Sequence, residues 1–148
     1  MAASLGLLTY QASRWFRTGE EPRRLGNAHA SIVPYDSYAT SDGAVVVAVV
    51  NDAAYLRLCE ALERPDLGSD SRFATNPLRV EHRRLLEPEL ARSVRGFRTE
   101  ELETRCRRLS VPCGPVRSVP EALAGLKELP FPLRFPDPRT MIGAWPAS

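Results

Sequence analysis

The sequence predicts an α+β fold: a small antiparallel sheet, built on one hairpin and a third strand, packed by several helices.

 Three observations predict it. Residues 35–40 alternate, with Tyr35, Ser37 and Ala39 pointing one way and Asp36, Tyr38 and Thr40 the other. Residues 44–50 form a β-prone apolar run, and Ser41-Asp42-Gly43 between the two segments supplies hairpin-turn chemistry. Elsewhere apolar residues recur at helical spacing, in stretches separated by Pro and Gly.

The elements follow in order. Residues 2–18 predict a helix with Leu5, Leu8, Ala12, Trp15 and Phe16 near one face, stopped by Gly19. Residues 20–24 are polar, contain Pro22, and read as a linker. In the hairpin, Gly43 is expected to take positive φ. The second strand is apolar on both faces, which predicts a position inside the sheet with both faces covered. Asn51 or Asp52 caps the next helix, whose buried stripe is Tyr55, Leu58, Cys59 and Leu62. Residues 65–71 break the helical pattern. A helical region over 78–94 carries Val80, Leu85, Leu86 and Leu90, and Pro88 is expected to kink or divide it. Thr99 is expected to cap a helix bearing Leu102, Cys106 and Leu109. Residues 111–116, VPCGPV, are extended or a turn. Ser118 and Glu121 form a capping box for a short helix reaching about Leu126. From Leu129 onward five prolines predict an extended or poorly ordered tail. The expected organisation is a helix and linker over 1–24, a small domain over 25–126 and a proline-rich tail over 127–148.

Composition narrows the function classes. An apolar content of 43% suits one modest core, and the net charge of +2 does not argue for nucleic acid. No apolar run is long enough for a membrane span. Residues 1–10 are apolar but lack a basic start and a cleavage signal, so they read as helix rather than signal peptide. Nineteen of the twenty basic residues are Arg, which reads as coding bias rather than a phosphate surface. Cys59, Cys106 and Cys113 share no metal-ligand spacing; packed, reduced thiols are expected, in a cytoplasmic protein or a mitochondrial one if the chain is eukaryotic. His82 lies with Arg79, Arg83 and Arg84 on what reads as a solvated helix face, without the interleaved aromatics of a single-strand binder. Cys113 has no paired His, so a packed thiol is expected over a nucleophile. No GxGxxG phosphate loop is present.

Five strings, in order, carry a resemblance: TGEEPRRLGNAHASIVPY, SDGAVVVAVVND, LCEALERPDL, SRFATNPLRV and VPCGPVRSVPEAL. Together they resemble the small-domain portion of family III CoA-transferases, the CaiB/BaiF or formyl-CoA transferase-like family, over about residues 5–123. The resemblance implies transfer of coenzyme A from an acyl-CoA to a carboxylic acid. A family aspartate attacks the donor thioester, giving a mixed anhydride and then an aspartyl-CoA thioester. It implies a CoA thioester as substrate, no covalently bound cofactor and no metal. It also implies a homodimer of interlocked chains, each with a large Rossmann-like domain and a small domain. No Asp or Glu here matches the family nucleophile, which belongs to the large domain, so no catalytic residue is assigned. Asp36, Asp42 and Asp52 read as turn and cap residues. The expectation is a truncated chain, inactive alone, whether a shortened gene, a shifted frame or a splice form. The alternative is a non-catalytic module that pairs with a separate large domain or a full-length relative, docking through Trp15 and Phe16.

The resemblance also marks a candidate substrate loop: Gly26, Asn27, Ala28 and His29, continuing through Ala30 and Ser31. In formyl-CoA transferases the matching loop is glycine-rich and closes over the active site, excluding water from the intermediates. This chain keeps Gly26 but no run of glycines, so a stiffer loop is expected. His29 is a candidate donor to a substrate carboxylate. The alternative is that Asn27 and His29 only tie the loop to the hairpin.

Overall fold

The computed structural model describes residues 8–124. The chain divides into two compact units, Met1–Pro115 and Val116–Ser148. In the first, α1 spans Thr9–Thr18 and stops at Gly19, which has φ +69° and donates its N–H to the Trp15 carbonyl at 2.8 Å. The left-handed backbone there is the conformation glycine adopts at least cost. No residue of α1 is buried. Residues 2–7 of the expected helix lie outside the described residues.

The sheet has three strands in the order β1 (Tyr35–Ala39), β2 (Ala44–Ala48) and β3 (Cys113–Pro115), with both pairings antiparallel. The hairpin register sets Tyr35 opposite Ala48 and Ala39 opposite Ala44. The VPCGPV segment thus supplies the third strand, and β2 lies at the centre. Only one face of β2 is buried, however. Val45, Val47 and Val49 point into the core, while Val46 is 43% exposed. The strand alternates in burial although its composition does not. Gly43 also departs from expectation, because among the described residues the positive-φ glycines are Gly19 and Gly26. What restricts position 43 is space: a β-carbon there would lie 3.0 Å from Thr99 Oγ1.

Helix α2 (Asp52–Ala61) is capped by Asn51, whose side chain accepts from the Ala54 N–H at 2.8 Å. Residues 65–71 are not a simple break. Pro65 opens a short helix, α3 (Pro65–Ser69), at the position where proline fits a helix, and a 3₁₀ turn follows over Ser71–Phe73. The expected 78–94 region is two helices, α4 (Asn76–Glu81) and α5 (Arg83–Arg95). The division falls at His82, whose carbonyl accepts from the N–H groups of Leu85 and Leu86, while Pro88 is carried inside α5. Helix α6 (Thr99–Arg108) is not capped by the Thr99 side chain. Instead Asp42, from the hairpin turn, accepts the Thr99 N–H at 2.8 Å and its hydroxyl at 2.9 Å.

The core lies between the buried sheet face and these helices: Val33, Tyr38, Val45, Val47 and Val49 meet Tyr55, Leu58, Leu86, Leu90, Val94, Leu102 and Cys106. Arg79 is buried among them rather than solvated. It donates to the carbonyls of Val33 (2.7 Å) and Phe73 (3.0 Å) and to Asp52 (2.8 Å), with its guanidinium carbon 4.4 Å from the Tyr55 ring centroid. A buried cation is tolerable only with its donors used, as here. In the second unit, α7 (Val119–Ala124) opens with the expected capping box: Glu121 accepts the Ser118 N–H at 2.7 Å and the Ser118 hydroxyl faces the Glu121 N–H at 3.4 Å. The end of this helix beyond residue 124, and the proline-rich tail, lie outside the described residues.

Candidate functional site

The candidate loop begins with a turn. Gly26 has φ +63°, and the Ala28 N–H donates to the Leu25 carbonyl at 3.2 Å. Asn27 then donates to the Ser37 hydroxyl at 3.0 Å, and the His29 N–H to the Tyr35 carbonyl at 2.9 Å. These bonds tie the loop to β1. Its other side is held by the helices. Arg83 donates to the carbonyls of His29 and Ala30, and Asn76 donates to the Ser31 carbonyl at 2.8 Å while accepting the Val33 N–H at 3.1 Å. These bonds restrain the 28–31 part of the loop from both sides.

The His29 ring packs at 46° to Tyr35 with centroids 5.3 Å apart. Its Nδ1 accepts the Ser31 N–H at 3.2 Å. In the neutral imidazole the proton therefore sits on Nε2, the nitrogen left for a ligand. The loop forms one wall of an open cleft of about 850 Å³ whose opposite wall is α1. Tyr10, Arg14 and Arg17 face it from the helix; Asn27, His29, Ser31 and Tyr35 face it from the loop and β1. The size suits a small organic ligand. Among the described residues no Asp or Glu lines it, and those that do offer hydrogen-bond donors and apolar surface.

Charge behind the loop is organised around Arg83, which pairs with Glu87 at 3.4 Å. Burial pushes the Glu87 carboxyl above its ordinary value, against the pull of Arg83. Tyr38 is held above the ordinary phenol range by burial and then by Glu87 and Asp36, and among the described residues its hydroxyl has no hydrogen-bond partner. The three cysteines are free. Cys59 is pushed up by burial; Cys106 is raised by the neighbouring Cys113 and by burial, and Cys113 is drawn down by Cys106. Among the described residues no cluster of three His, Cys, Asp or Glu side chains is placed to hold a metal ion, and no helix is long and apolar enough to cross a membrane.

Of the candidate residues, Asn27, Ala28 and His29 line the cleft, and Gly26 sits behind them as the hinge of the turn. Sequence reasoning missed Arg14 and Arg17. The available signal was the spacing of Tyr10, Arg14 and Arg17 at i, i+4 and i+7, a second stripe beside the apolar one.

Residues 1–129 match the model of CoA-transferase family III. The succinate–glutarate CoA-transferase of Agrobacterium fabrum is 36% identical over 118 residues, 80% of this chain and 30% of that protein. The human succinyl-CoA:glutarate CoA-transferase is 31% identical over 128 residues, 84% of this chain and 28% of that one. A crystal structure of a CaiB/BaiF family protein from Brucella suis superposes with a TM-score of 0.72 at 32% identity, covering 89% of this chain and 39% of that one. The chain thus spans about 30% of the length of the curated relatives it matches. It belongs to CoA-transferase family III.

Proposed function

We propose that this chain acts as the small domain of an acyl-CoA:carboxylate CoA-transferase and does not turn over alone. The observation that carries the reading is the cleft: the candidate loop forms one of its walls, and among the described residues no carboxylate lines it. On this reading the attacking aspartate and most of the CoA-binding surface come from a large domain. The named activities of the relatives suggest a succinyl-type donor and a small dicarboxylic acceptor such as glutarate. In the assembled enzyme the 26–31 loop would bound the reaction space and limit water, which protects a mixed anhydride from hydrolysis. His29 Nε2 would orient the acceptor carboxylate. The test is a CoA-exchange assay with succinyl-CoA and glutarate. The chain alone is expected to stay at background, and mixing with the large domain of a full-length relative is expected to give turnover. Exchange by the purified chain alone would refute the proposal.

A second reading, a non-catalytic module that pairs with a large-domain chain, is favoured by α1. Trp15 is 49% and Phe16 79% exposed, and with Leu8, Ala12 and Pro22 they line an apolar hollow of about 670 Å³. Binding of a large domain without any exchange activity would select this reading.

A further inference from the structure

We propose that Cys106 and Cys113 form an oxidisable dithiol, which a peroxide converts to an intramolecular disulfide joining α6 to β3. The fold brings the two cysteines together through one turn. Just past α6, Ser110 takes φ +55° and reverses the chain. The Val111 N–H donates to the Cys106 carbonyl at 2.8 Å and the Ser110 N–H to the Arg107 carbonyl at 3.1 Å. These are the paired bonds of a left-handed helix stop, and the buried Val111 side chain anchors it. Strand β3 then packs back against α6. Its register sets Cys113 opposite Val47. Directly paired residues of an antiparallel sheet share a face, and Val47 is on the core face. Cys113 is therefore aimed into the layer where Cys106 is fully buried. The pair is not part of the cleft lining and asks nothing of the CoA-transfer reading.

Both thiols are free, and the two sulfurs lie within hydrogen-bonding reach of each other. Donation from Cys106 draws Cys113 below its ordinary value, against burial and the Glu103 charge. Cys113 thus gains thiolate character from its partner thiol, with no histidine involved. It is also half-buried where Cys106 is fully buried, so the roles divide: Cys113 attacks and Cys106 resolves. In the first step the Cys113 thiolate attacks one peroxide oxygen. The O–O bond breaks, and the leaving hydroxide takes up the proton the thiol released and departs as water. In the second step the Cys106 sulfur attacks the sulfenic sulfur of Cys113. The S–O bond breaks, and its oxygen leaves as water with the Cys106 proton. Two thiols and one hydrogen peroxide give one disulfide and two waters; the sulfurs lose two electrons and the peroxide oxygens gain them. The bond pins β3, an outer strand of the sheet, to the helix.

The test treats the folded full chain with equimolar hydrogen peroxide, alkylates the remaining thiols in denaturant and maps the peptides by mass spectrometry. A loss of about 2 Da, a linked Cys106–Cys113 peptide and a Cys59 that still alkylates are expected. Dithiothreitol is expected to restore all three thiols. Cys59 is the internal control, since it is buried like Cys106 but lies beside Tyr55 on α2. Cys106→Ser is expected to stop Cys113 at a sulfenic acid that dimedone captures. Cys113→Ser is expected to slow oxidation of the chain roughly tenfold, because the attacking thiolate is gone. If either variant fails to fold, the peptide map of the parent chain decides. Cys106 and Cys113 that both still alkylate after peroxide, a disulfide that involves Cys59 or a second chain, or an oxidation rate unchanged in folded Cys113→Ser would overturn the pair.

Discussion

Arg79 ties three segments near the site together. It joins α4 to the Val33 carbonyl at the end of the loop, to the Phe73 carbonyl and to Asp52 at the start of α2. Asp52 is half exposed, so its salt bridge is screened, and the two carbonyls carry most of the cost of losing the cation. Arg79→Met is expected to destabilise the fold by about 2–4 kcal/mol, from two carbonyls left without donors and lost stem packing. A chemical denaturation curve overlapping the parent's would contradict this. The sequence gives no warning of the role. Arg79 sits beside Arg83, Arg84 and His82, and that local pattern describes a wet helix face. Its burial depends on Val33, 46 residues away, which periodicity within one helix cannot register. The 26–31 loop could be singled out because its motif is contiguous, whereas Arg17 becomes part of the cleft only when α1 lies across from the loop.

At the scale of elements, the hairpin was legible because alternation and an Asp-Gly turn are local signals. The central position of β2 also followed from its composition. The one-sided burial did not, since five consecutive small and branched apolar residues hide which face is inward. The start of α6 was misread for the same physical reason as Arg79: its cap comes from Asp42, 57 residues earlier in the chain. Hydrogen bonds from Thr99 and Arg98 hold the Asp42 carboxyl down to about 2 from its ordinary 3.8. A depressed carboxylate adds stability above its unfolded value and loses it as pH falls through the folded one. The melting temperature should therefore drop as pH falls from about 4 toward 2. Asp42→Asn should make that acid limb shallower without removing it, because Asp66, Asp70 and Glu89 are also held low by arginine neighbours. Thermal melts across this range that superpose for parent and variant would show that Asp42 does not tie the turn to α6.

For the whole molecule, the division of labour is between a buried core and an α1 that buries none of its residues. Trp15 and Phe16 pack on each other, with centroids 5.1 Å apart, and leave an apolar face open. The second reading uses this face for docking. Phe16→Ser is expected to abolish co-purification with a large-domain chain while leaving the melting temperature of the chain unchanged; a lower melting temperature would place Phe16 in the core instead. Family membership was legible because five motifs stand in order over most of the chain. The chemistry of the cleft was less so, since its two walls are separate in sequence and meet only in the fold. The central claim is that this chain supplies the binding wall while another domain supplies the attacking carboxylate. The most direct measurement is to reconstitute the chain with a large domain, trap the covalent CoA thioester, and locate it by peptide mass spectrometry. The adduct is predicted on an aspartate of the large domain. An adduct on any Asp or Glu of this chain would contradict the account.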